Sequence, residues 1–136
     1  MKHAGAVADY ISARNEDLYS AFRKNLEAAR KVKISDIVEK TVKSPAKRFY
    51  TSDRRAQDVI TRLLEGGSID DMRPERKRMF EEIYRRCMER MSSGRAVPLV
   101  ELVREVIAQP APEFYITTGS ALIYLCRIKA ARNEKK

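Results

Sequence analysis

The sequence has no tryptophan, one histidine (His3), two cysteines and five glycines. Each scarcity closes a class of chemistry. With His3 alone, near the start of the chain, a histidine-based triad or metal site has no material to build on. Cys87 and Cys126 make neither a disulfide framework nor a zinc motif, and both fall on apolar helix faces as buried small hydrophobes. Gly66-Gly67 follows a helix and lacks the Lys-Ser/Thr of a nucleotide-binding loop. No window reaches the roughly 18 apolar residues of a membrane span, and no signal-peptide core is visible. The expectation is a cytoplasmic protein that is not an enzyme, holds no cofactor or metal and has no membrane partner.

What the sequence does have is charge. Of 136 residues, 28 are Lys or Arg against 19 Asp or Glu, a net charge of +9. Such an excess favours an anionic partner, nucleic acid before acidic protein or membrane surface, or else a solvated helical surface.

It also has a repeat. Pro45-Ala46-Lys47-Arg48-Phe49-Tyr50 recurs 65 residues later as Pro110-Ala111-Pro112-Glu113-Phe114-Tyr115. The same offset aligns Ile34, Ile37, Val38 and Val42 with Leu99, Leu102, Val103 and Ile107, and Ala56, Ile60 and Leu63 with Ala121, Leu125 and Ile128. This is the signature of a duplicated unit.

Periodicity fills in the unit. Leu18, Phe22, Leu26 and Ala29 share one helix face, with Asn15 as a candidate N-cap and an end near Arg30. A short helix carries Ile34, Ile37, Val38 and Val42 and stops before Pro45. Thr51 or Ser52 caps a third helix with Ala56, Ile60, Leu63 and Leu64 inward, ended by Gly66-Gly67. The second half repeats the plan. Pro74 opens a helix with Phe80, Ile83, Cys87 and Met91 inward, and Pro98 opens the next, with Leu99, Leu102, Val103 and Val106 inward. Thr117 or Thr118 caps the last, with Ala121, Leu122, Leu125 and Ile128 inward. The expected fold is all-α: two tandem, related three-helix units packed into one compact domain. Residues 1–12 form an N-terminal arm, 13–67 and 68–132 the two units, and 133–136 a charged tail that frays with the basic residues from Lys129 onward. In each extended Phe-Tyr connector one ring should plug the core and the other lie at the surface, because neighbours in an extended chain point to opposite sides.

Two short helices followed by a capped third also describe a helix-turn-helix, whose last helix presents its N-terminal residues to base edges. The candidate DNA-binding residues are therefore Ser52, Arg54, Arg55 and Gln57 on the third helix, with Lys43, Lys47 and Arg48 on phosphates. Residues 40–55 hold six basic side chains and one acid, whereas 105–120 hold no basic residue and two acids. Any phosphate contact thus falls to the first copy, and the second suits packing, self-association or a protein partner. The Arg-rich fourth helix, interleaved with Glu75, Glu81, Glu82 and Glu89, reads as exposed ion pairs.

Ile34-Ser-Asp-Ile-Val-Glu-Lys, the two Pro-Ala-x-x-Phe-Tyr segments, and Arg76-x-x-Met79-Phe80-x-x-Ile83-Tyr84 resemble uncharacterised small basic helical proteins of gut-bacterial genomes and their phages or mobile elements, over roughly residues 14–129. The resemblance supplies no site residues. It implies a mobile-element setting and, with it, DNA handling. The competing expectation is a protein–protein interaction module without nucleic-acid binding.

Overall fold

A computed structural model describes residues 7–134 except Arg95, so His3 and half of the expected arm, residues 1–6, lie outside them. The described residues form six α-helices: α1 (Val7–Ala28), α2 (Ile34–Val42), α3 (Asp53–Leu64), α4 (Pro74–Ser92), α5 (Leu99–Ile107) and α6 (Thr118–Glu134). None is long and apolar enough to cross a membrane.

The stops and starts follow local chemistry. Ser52 caps α3, its hydroxyl accepting the Arg55 N–H at 3.1 Å, and Thr117 does the same for α6 through the Ser120 N–H. At the end of α3, the Gly67 and Gly66 N–H groups reach back to the carbonyls of Arg62 and Leu63, a Schellman ending. Gly66 sits at φ +84°, and a Cβ on Gly67 would lie 2.9 Å from the Arg62 carbonyl oxygen. Two expectations shift. Asn15 is not a cap but lies inside α1, which starts at Val7 because Tyr10 and its neighbours extend the apolar face. The basic C-terminal segment does not fray at Lys129, since α6 continues to Glu134. There Arg132 lies over the Tyr19 ring, as Arg14 lies over Tyr124, tying α6 to α1.

The centre of the molecule is the meeting of the two connectors. Ala46 and Ala111 form an antiparallel bridge, each N–H donating to the other's carbonyl at 2.9 Å. The Phe49 N–H donates to the Ile107 carbonyl at the end of α5, and the Phe114 N–H to the Val42 carbonyl at the end of α2, both at 3.0 Å. These bonds map onto one another under the 65-residue offset. Each connector satisfies a carbonyl that the opposite helix end would leave open. The rings follow: Phe49 stacks on Tyr115 at 6.0 Å and Tyr50 on Phe114 at 6.3 Å. All four are buried, so the expected surface ring of each pair does not exist. Tyr115 sits at φ +57°, a left-handed backbone costing about 1–2 kcal/mol, whereas the equivalent Tyr50 stacks without it.

Crossing connectors exchange the third helices. α1 and α2 pack with α6, and α4 and α5 pack with α3; α2 and α3 share no contact. The packed trios are therefore not residues 13–67 and 68–132, and α2–α3 lacks the mutual packing of a helix-turn-helix. The apolar stripes otherwise lie inward as expected for Leu18, Val38, Ile60, Phe80, Ile83, Val103 and Leu125, whereas Leu64, Met91, Leu122 and Cys126 are exposed.

Two predictions follow from this interlock. Because each half supplies a helix to the other's core, chains cut between Gly66 and Gly67 should fail to melt cooperatively alone and regain the native circular dichroism and a single transition when mixed in equal amounts. Thr51 is fully buried with its Oγ1 lacking a hydrogen-bond partner. Thr51→Val should thus stabilise the fold by about 1 kcal/mol in urea denaturation, the opposite sign to most core substitutions.

Candidate functional site

The offset that relates the connectors also relates α1 to α4, which sequence comparison had left unaligned. Asp17, Leu18 and Tyr19 correspond to Glu82, Ile83 and Tyr84. The missed signal was short: one acid–aliphatic–tyrosine triplet, diluted by arginines on α4. With the helices aligned, two clefts flanking the connectors become counterparts with opposite chemistry.

The second-half cleft is lined by Arg85, Arg86, Glu89, Arg90 and Gln109, and its charges are spent on one another. Arg86 Nε donates to Glu82 at 2.7 Å, its Nη1 reaches the Gln109 amide oxygen and the Pro110 carbonyl, and its guanidinium lies 4.9 Å from the Phe49 ring centre. Arg85 bridges Glu82 and Glu89, and Arg90 pairs with Glu105 across to α5. The two arginines hold the Glu82 carboxyl below its ordinary range, Arg85 most. Of the four acids interleaved on α4, Glu82 and Glu89 pair within the helix, whereas Glu75 and Glu81 form no ion pair among the described residues; the bonds of Arg90 and Arg86 pin α4 to α5 and the second connector.

The first-half cleft, about 260 Å³, is lined by Asp17, Ser20, Ala21, Lys24, Asn25, Ser44, Pro45 and Lys47. Ala21 stands where the other cleft has Arg86, Ser20 where it has Arg85, and Lys24 where it has Glu89. Its floor is fixed. The buried Asp17 carboxylate accepts the Lys47 N–H at 2.8 Å and the Tyr50 hydroxyl at 2.6 Å. Burial, then the bond to Asp17, raises the Tyr50 hydroxyl above its ordinary range. Asn25 Nδ2 donates to Thr41 Oγ1 and Ser44 Oγ, clasping α1 to the end of α2. Lys24 and Lys47 are exposed at the rim, and neither takes part in an ion pair among the described residues. Lys40 and Lys43 occupy the last turn and C-cap of α2, immediately before Ser44, with Lys43 paired to Glu39 at 3.2 Å.

The structure divides the candidate residues. Lys43 and Lys47 lie beside the first cleft. Arg54 and Arg55 are exposed and Gln57 half-buried on α3, in the opposite trio. Ser52 is committed to its cap. Arg48 folds inward, donating to the carbonyls of Phe49 and Thr51 and lying over the Tyr50 ring. Asp53, at the start of α3, pairs with Arg104 of α5 at 3.2 Å, and the exposed Asp58 stands one helical turn beyond Arg54 and Arg55. Lys24 was not among the residues singled out in the sequence, because only the alignment of α1 with α4 places it at the cleft. Cys87 is buried, its thiol pushed up to about 11 by burial. No cluster of three metal-ligating side chains occurs among the described residues.

Searches against protein-family models, curated proteins and solved structures found no match to the chain.

Burial pushes the Tyr115 hydroxyl up to about 12. A phenol whose pKa is raised on folding contributes stability that is complete below its unfolded value near 10 and is lost as pH rises through the folded value. The denaturation midpoint of the native chain should therefore fall between pH 10 and 12, and Tyr115→Phe should make that fall shallower.

Proposed function

We propose that this chain is a non-enzymatic duplex-DNA-binding protein that grips the phosphate backbone with its first-half face. The reading is carried by one comparison. At equivalent clefts, the second half neutralises its cations internally, whereas in the first half Lys24 and Lys47 at the rim have no ion-pair partner among the described residues and lie beside Lys40 and Lys43. Lysines on flexible stems act as point charges toward phosphates and carry little sequence information. Arg54 and Arg55 add a separate exposed cationic pair on α3, in the opposite trio, where guanidinium groups can take phosphates bidentately or meet a guanine edge. The mode is backbone contact across two trios rather than insertion of a helix-turn-helix, since α2 and α3 do not pack together. A setting in a phage or mobile element fits this reading and remains part of the proposal, as does descent of the two halves from one duplicated unit.

Lys47, Arg54 and Arg55 do not hold the core, so they can be reversed without threatening the fold. In gel-shift titrations with random duplex DNA, Lys24→Glu/Lys47→Glu should weaken binding by tenfold or more at about 0.1 M salt and reduce the slope of log affinity against log salt by about 2. Arg54→Glu/Arg55→Glu should do the same, and Arg85→Gln, in the neutralised cleft, should leave binding unchanged. Binding that ignores both double variants removes this face. A partner retained in pull-downs through nuclease treatment and high salt would favour a protein-interaction module instead.

A further inference from the structure

On the side of α1 turned away from the polar cleft, α1, α2 and α6 enclose another cavity, of about 430 Å³. Its wall is apolar: Phe22, Leu26, Ile34, Val38, Leu122 and Leu125. It reaches inward to the buried Val38 and Leu125, and opens past Ile34 and Leu122, which are 45% and 42% exposed. Charge is confined to three lining side chains, Arg23, Glu27 and Lys129. Arg23 and Glu27 answer each other at 3.7 Å, which leaves Lys129 as the net charge.

Depth and charge together select the occupant. A groove for a partner helix runs long and shallow along a helix pair. Here the space is bounded by three helices rather than two and reaches the buried Val38 and Leu125, which suits an alkyl chain entering end-on. Its volume falls in the range of about 300–1,000 Å³ typical of small-molecule sites, with largely apolar walls and one cation, Lys129, outside the Arg23–Glu27 pair. The anchor is cationic, so the head group is anionic.

The second half shows that the fold does not impose this arrangement. The positions equivalent to Leu122, Cys126 and Lys129 are Gln57, Thr61 and Leu64. On its α3 side the counterpart thus carries two polar groups where the cavity has Leu122 and Cys126, and an apolar residue in place of the cation, while the rest of its wall stays apolar. Apolar wall and charged anchor coincide only in the α1–α2–α6 trio.

We propose that this cavity binds a free fatty acid, its chain directed toward Val38 and Leu125 and its carboxylate on Lys129. The chain carries its own reporter. Cys126 lines the cavity and is exposed, whereas Cys87 is buried with a raised thiol pKa, so alkylation at neutral pH reads Cys126.

Calorimetric titration of the intact protein with monomeric dodecanoate should show saturable one-to-one binding. Dodecyltrimethylammonium, of equal chain length and opposite charge, should bind about tenfold more weakly. Saturating dodecanoate should slow iodoacetamide alkylation of Cys126 by about tenfold. Lys129→Glu should abolish the preference for the anion, and Leu122→Asp should weaken dodecanoate binding by about tenfold; both residues are exposed, so thermal melting should be preserved. Absence of saturable binding, equal affinity for the two head groups, or binding that leaves Cys126 unprotected would overturn the proposal. None of these readouts involves nucleic acid, so this site stands or falls separately from the DNA-binding face.

Discussion

The antiparallel contact between Ala46 and Ala111 is the constraint from which the rest of the molecule follows. Prolines 45 and 110 end the helices before them and leave two extended segments whose backbone groups need partners. Each segment finds them in the other. Alanine is what fits at the crossing, because both Cβ atoms are almost fully buried where the two backbones come within hydrogen-bonding distance. Two exchanged hydrogen bonds are modest in net free energy, about 0.5–1.5 kcal/mol each. Their larger effect is to set the register that brings four aromatic rings into two stacks and delivers α3 and α6 to opposite trios.

That dependence explains which parts of the fold were legible in the sequence. The six helices could be read because their signals are local: Ser52 and Thr117 as caps, Pro74 and Pro98 at helix starts, Gly66 at a left-handed turn. The offset of 65 could be read because the connector motif is dense in rare residue types. The exchange of third helices could not. Ala56, Val59 and Ile60 on α3 and Ala121 and Leu125 on α6 present nearly the same small and aliphatic surface, so either trio could accept either helix on pattern alone. What decides between them is the reach of an extended connector, about 3.3 Å per residue, against a short turn. Periodicity is blind to that difference. The burial of both aromatics was missed for the same reason: an extended segment exposes one face only when nothing lies on the other side.

The candidate site was legible in its charge and illegible in its geometry. Counting basic residues between 40 and 55 singled out a stretch of which Lys47 lines the first cleft, but it treated Lys43, Arg48 and Arg54 as neighbours because they are close in sequence. The chain turns Arg48 inward onto the Phe49 and Thr51 carbonyls and carries Arg54 into the other trio. Lys24, nineteen or more positions from any of them, comes to the same cleft as Lys47 because Asp17 fixes the backbone of Lys47 against α1. A buried carboxylate thus positions an exposed cation without neutralising its side chain.

The two halves differ in how their equivalent positions are used, and the direction of that difference is physically consistent. Holding α4 against α5 and the second connector takes a network in which every guanidinium has a carboxylate or carbonyl, and such a network leaves little charge for a ligand. Holding α1 against α2 and the first connector is done instead by neutral groups, Asn25 with Thr41 and Ser44, and by one buried acid with a phenol. Structural cohesion in that half consumes no lysine. Lys24 and Lys47 are surplus to the fold, and on the proposed reading that surplus charge is what meets an extended anion.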